Sequence, residues 1–66
     1  MDVYIQDKET GWFMGPQQTW VEARAQAENF HTLLVARDYI RRRRLSHTQL
    51  LVRSRDEETF SVIPLF

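Results

Sequence analysis

Thr19-Trp20-Val21-Glu22-Ala23-Arg24-Ala25-Gln26-Ala27-Glu28-Asn29-Phe30 is the stretch on which the fold turns. Thr19 with Glu22 three residues later fits a capping box, in which two orphan N–H donors of a helix start are satisfied reciprocally. Trp20, Ala23, Ala27 and Phe30 recur at helical spacing and give one apolar stripe. Small alanines between two large aromatics suit close packing onto a sheet, and Glu22, Arg24, Gln26 and Glu28 keep the other side polar. The pattern predicts a helix over these residues.

Outward from there, His31-Thr32 breaks the direction and Thr32 is a second N-cap. Leu33, Ala36 and Ile40 make the inner face of a second helix with Tyr39 at its edge, ending in or just after Arg41, Arg42, Arg43 and Arg44. No Gly or Pro separates the two segments, so a single longer bent helix is the alternative. Before them, Val3-Tyr4-Ile5-Gln6 alternates as a strand, Asp7 to Gly11 is a polar turn, Trp12-Phe13-Met14 is the returning strand, and Gly15-Pro16 ends the hairpin. After them, residues 49–55 read as a strand, with a short helix from Ser46 as the alternative. Asp56-Glu57-Glu58 is a turn, and residues 59–63 alternate again before Pro64. The expected architecture is ββααββ, an α+β domain in which a four-stranded antiparallel sheet carries two helices on one face.

The chain has 66 residues, and a compact chain of that length has a radius of gyration of about 11 Å. One domain and one small core fit; a second lobe does not. The absence of cysteine excludes a disulfide framework, a thiolate zinc site and a cysteine nucleophile. A domain near this size buries only about 60 per cent of its unfolded surface. Association with a partner is therefore one route to added stability. No apolar run approaches the roughly 18 residues of a membrane span, and the acids near Met1 do not resemble an export signal. These features lead us to expect a cytoplasmic protein.

Tyr4, Gly11, Phe13, Trp20, Ala27, Phe30 and the closing Ile63-Pro64-Leu65 form a pattern that resembles small uncharacterised bacterial and phage open reading frames. The resemblance spans most of the chain through positions of fold type, and it implies no activity.

Catalytic motifs are absent: there is no Gly-rich phosphate loop, no His-x-x-x-His pair and no Gly-x-Ser-x-Gly elbow. His31 and His47 lack carboxylates at ligand spacing, and three acids in a turn are ordinarily just solvated. Neither an enzyme nor a cofactor or metal is expected. The arginines are more informative. Nine basic and nine acidic side chains balance to zero, yet residues 1–36 carry −3, residues 37–55 carry +6 and residues 56–66 carry −3. Four consecutive arginines cannot share one helix face, because neighbours stand about 100° apart. A helix end favours cations, and Asp38 lies three and four residues before Arg41 and Arg42, so plain structural roles account for much of the cluster.

Two functional readings stand beside those roles. In the first, the chain is a non-enzymatic module that binds a protein partner, a second copy of itself included, through the open sheet face or an edge strand, as a stoichiometric regulator or inhibitor would. Trp12 and Phe13 matter here because alternation forbids both from facing the helices, leaving an aromatic for an interface. In the second, Arg41, Arg42, Arg43 and Arg44 join Arg53 and Arg55 in a nucleic-acid-binding patch, since the guanidinium fork pairs well with phosphate.

Overall fold

Asp2, Tyr4 and Gln6 alternate with Val3, Ile5 and Asp7, and this period of two makes β1 (Asp2–Asp7) the spine of the molecule. The structure is a computed structural model and describes residues 1–65. The remaining strands are β2 (Phe13–Met14), β3 (Trp20–Val21), β4 (Thr48–Arg53) and β5 (Ser61–Pro64), and the one α-helix is α1 (Leu33–Arg43). The sheet is antiparallel throughout, in the order β3-β2-β1-β4-β5. β1 and β4 pair over their whole length, from Asp2 opposite Arg53 to Asp7 opposite Thr48.

That architecture corrects the expected ββααββ. It remains a mixture of helix and antiparallel sheet, but with five strands and one α-helix in place of four and two. The difference lies in residues 19–30. Trp20 and Val21 form a strand opposite Met14 and Phe13, and only Arg24–Gln26 winds into a short 3-10 turn. The Thr19 hydroxyl donates back to the Pro16 carbonyl at 2.9 Å instead of capping anything ahead of it. Gly15 makes the tight return possible. A Cβ there would stand 2.7 Å from Val21 Cγ1, so only a residue without one lets β3 close onto β2.

Tertiary bonds then hold the next residues extended. The Glu28 N–H donates to the Met14 carbonyl at 2.9 Å and the Phe30 N–H to the Val3 carbonyl at 2.8 Å. Asn29 Oδ1 accepts from the N–H groups of Val3 (3.0 Å) and His31 (2.9 Å), while its amide donates to Asp2. β2 is only two residues long, and this segment completes the side of β1 that β2 leaves bare. An isolated helix of twelve residues is marginal in water. Helix propensity is a weak prior against several fixed hydrogen bonds and the burial of Phe30.

The other elements follow the expected signals. Asp7 Oδ1 accepts from the Glu9 N–H at 2.8 Å, and Gly11 takes φ +79° to close the first turn, where the glycine avoids the left-handed strain of any other residue. Thr32 caps α1 by accepting from the Val35 N–H at 3.1 Å. Ala36 is fully buried against the sheet, with Leu33, Tyr39 and Ile40 packed around the same core. That core, built on Val3, Ile5, Met14, Phe30 and Leu50, lies between α1 and one face of the sheet. The chain leaves α1 through Arg44, whose φ of +53° is left-handed, and the Leu45 N–H closes the helix end on the Ile40 carbonyl at 3.1 Å. The radius of gyration is 10.8 Å, as expected for the length. No helix among the described residues is long and apolar enough to cross a membrane.

Candidate functional site

Register decides which side chains share a surface. Paired residues point the same way, so Asp2, Tyr4 and Gln6 lie with Arg53, Leu51 and Gln49 on the face away from α1. Phe13, opposite Gln6, is on that face too. The face is not an open aromatic row: Phe13 and Leu51 are buried, and Tyr4 packs on Phe60 with ring centres 5.7 Å apart. The guanidinium groups of Arg24 and Arg53 each stand 4.5 Å from the Phe60 ring centre. Residues 19–30, expected as a helix on the core side, thus send Arg24 to the opposite face of the sheet. Among the described residues Trp12 is the aromatic left exposed, at 42%.

The arginines divide into three settings. Arg42 and Arg41 both lean on Asp38, at 2.9 and 3.5 Å, with their side chains still largely in solvent. Such surface pairs are worth about 0–1 kcal/mol each. Arg43 places its guanidinium over the Tyr39 ring, 5.3 Å from its centre. Arg53 donates from both Nε and Nη2 to Asp2 Oδ2, at 3.3 and 2.8 Å. That bond, with the Asn29 amide beside it, holds the Asp2 carboxyl below its ordinary value. Arg53 and Arg55 line a polar cleft with Met1, Asp2, His31 and Glu58.

Arg41, besides its contact with Asp38, shares a second surface with Arg44. They line a groove of about 780 Å³ between α1 and β5, floored by Leu33, Ile40, Ile63 and Leu65. The clefts share no residue. Arg53 ends β4 and Arg44 precedes its start, so about 17 Å of strand separates the two arginine sets. The patch of Arg41, Arg42, Arg43 and Arg44 with Arg53 and Arg55 is therefore not one surface. Arg55 stays exposed beside Glu57 and Glu58 in the polar cleft.

The groove holds a residue that sequence reasoning did not single out. Arg37 and Arg41 are spaced i and i+4 on the flank of α1, and Arg44, the left-handed residue that ends the helix, lines the same groove, so the three make one basic stripe beside exposed Leu34. Counting runs of arginine hides this stripe; applying the helical period to every basic residue from 37 onward would have found it.

β5 is a sheet edge, and among the described residues its outer side has no strand partner. Among the described residues no three His, Asp or Glu gather to hold a metal ion. His47 Nδ1 lies 3.8 Å from Glu9 Oε1 at the surface, and His31 is in the polar cleft instead. Glu57 is tied into its own turn through Ser54, by its N–H to the Ser54 carbonyl and by its carboxylate to the Ser54 hydroxyl. No protein-family model matches the sequence, and no curated protein or solved structure matches it.

Proposed function

We propose that the chain is a non-enzymatic interaction module that binds another protein along the groove between α1 and β5. The observation that carries this reading is the groove itself: apolar at its floor, bordered by the unpaired edge strand, and flanked by Leu34 at 77% exposure. A leucine so exposed beside an apolar groove adds to a continuous apolar surface, the kind that marks interaction sites more than scattered single residues do. Edge strands invite association unless they are blunted. β5 is short and carries Pro64, which lacks the N–H needed for continued pairing, so side-chain contact in the groove and not strand extension is the main attraction.

Two features favour this over the alternatives raised by the sequence. The sheet face away from α1 is occupied by its own stack of Arg24, Phe60 and Arg53. The arginines do not assemble into a single phosphate-tracking surface, which weakens the nucleic-acid reading.

The test is capture of a partner on bead-bound protein. Leu34→Arg with Ile63→Lys is expected to release a partner that Lys8→Ser retains, with circular dichroism confirming that each variant is folded. Because Ile63 also contacts the core, Leu34→Arg alone serves as the second variant. Capture unaffected by Leu34→Arg, or no captured protein at all, refutes the reading.

A further inference from the structure

We propose that the occupant of the groove is an acidic amphipathic helix of a different protein, lying beside α1 in the place where a second helix of this chain would pack. This rests on the interaction reading above and names the chemistry of the partner.

Three observations point the same way. The shape is right: among the described residues one α-helix covers a five-stranded sheet, and they leave an open strip along the flank of α1 above the edge strand β5. Packed helices lie about 8–10 Å apart, and α1, with eleven residues, offers about 16 Å of length, or three turns, for a neighbour. Leu33, Leu34, Ile40, Ile63 and Leu65 give that neighbour an apolar bed, as in helix-in-groove recognition.

The charge is right as well. Arg37, Arg41 and Arg44 border the groove against the single carboxylate of Asp38, which already serves Arg41 and Arg42. Among the described residues neither Arg37 nor Arg44 pairs with a carboxylate. Arg37 and Arg41 have helical spacing, so glutamates placed at i and i+4 on a partner helix meet them in register, with Arg44 at the end of α1 to take a third. Complementary charge at a rim governs encounter rate and partner choice.

A second copy of the chain does not supply these features. Two copies joined groove to groove would bring two basic linings together, each with three arginines and one aspartate, and like charge is disfavoured there. Among the described residues α1 is the one α-helix, and it is basic. The acidic run Asp56-Glu57-Glu58 lies in a turn, not a helix.

Two blocked fifteen-residue peptides test the proposal, each with leucines at i, i+3, i+4 and i+7. One carries glutamates beside the leucine stripe and the other lysines at the same positions. An oligouridylate of ten nucleotides is the third probe. Titrated into 15N-labelled protein, the glutamate peptide is expected to move the amides of Leu34, Arg37, Arg41 and Ile63, to gain helical ellipticity on binding, and to weaken as salt rises. Exposed ion pairs are worth a factor of about two to five each, so Arg37→Ser/Arg41→Ser/Arg44→Ser weakens it about tenfold or more. Those side chains are exposed, so the variant keeps its fold, and Lys8→Ser/Arg55→Ser is the charge control.

Equal binding of the two peptides overturns the acidic partner while leaving the interaction module standing. Absence of groove shifts with either peptide at millimolar concentration overturns both. Oligouridylate moving the α1 amides at lower concentration than the glutamate peptide overturns the proposal in favour of nucleic acid.

Discussion

Residues 19–30 and residues 32–44 carry similar local signals, yet they adopt different conformations. Each begins with a threonine, each repeats apolar residues at helical intervals, and each places alanine where a close approach is needed. The second becomes α1, with Thr32 capping it and Ala36 fully buried on the sheet. The first becomes β3, a 3-10 turn and an extended run that completes the side of β1. What separates them is the availability of other partners. Trp20 and Val21 have Met14 and Phe13 to pair with, and Asn29 has Val3, His31 and Asp2. Nothing of that kind competes for residues 33–43. The first segment goes to the far edge and opposite face of the sheet, so among the described residues α1 is the one α-helix beside the strip above β5.

The comparison is broken most severely at Asn29. Asn29→Ala leaves the Val3 and His31 N–H groups without their acceptor; the Val3 group is part-buried and its loss costs about 1–3 kcal/mol, whereas the exposed His31 group turns to water. A loss of about 1–3 kcal/mol is expected from urea unfolding, a large share of the total for a chain with about 0.05–0.15 kcal/mol per residue. An unchanged midpoint would show that residues 28–31 are not held as described.

The helix side of the comparison has a smaller handle at each end. Thr32→Ala removes the cap and is expected to cost about 1 kcal/mol. Arg44→Gly acts in the opposite direction. Arg44 holds φ +53°, which costs a non-glycine residue roughly 1–2 kcal/mol. The glycine variant should therefore gain about 1 kcal/mol, seen as a rise of about 4–8 °C in Tm for a domain of this size. The same change removes one arginine of the groove stripe, so a more stable protein that binds the acidic peptide less well is the expected pairing. A fall in Tm contradicts the cap geometry.

The smallest effect is electrostatic. Asp2 is bonded to Arg53 and Asn29, which lowers its folded-state pKa below the ordinary 3.8. A carboxyl depressed in the folded state contributes stability above its unfolded pKa, and that contribution is lost as pH falls through the folded value. Unfolding midpoints between pH 6 and pH 2 should decline, and Asp2→Asn should flatten part of the decline below pH 4. Parallel curves for the two proteins would remove the pair from the account.

Much of this was readable in the residues. The first turn, the Thr32 cap, the inner face of α1 and its end at the arginines all depend on local chemistry, which one sequence carries. β3 and the run after it do not: β3 depends on Gly15 admitting Val21, and residues 28–30 depend on Met14, Val3 and Asp2, which lie far back in the chain. Their helical pattern is real and loses to contacts that only the folded chain supplies. The candidate site divided in the same way. Arg41 and Arg44 were visible as parts of a run, but their union with Arg37 needed the helix phase, and their separation from Arg53 and Arg55 needed the length and direction of β4. Alternation showed only that Trp12 and Phe13 do not both face the helix side; the fold leaves Trp12 exposed and buries Phe13 on the face away from α1, where Arg24 folds over as well.

The conformation of residues 19–30 bears most directly on all of this, and backbone chemical shifts with cross-strand nuclear Overhauser effects measure it. Extended shifts at Trp20 and Val21, contacts from Trp20 to Met14 and from Phe30 to Val3, and helical shifts confined to Leu33–Arg43 are the expected result. A continuous run of helical shifts across residues 19–30 would supply the second helix from within the chain, close the strip beside α1, and contradict the account.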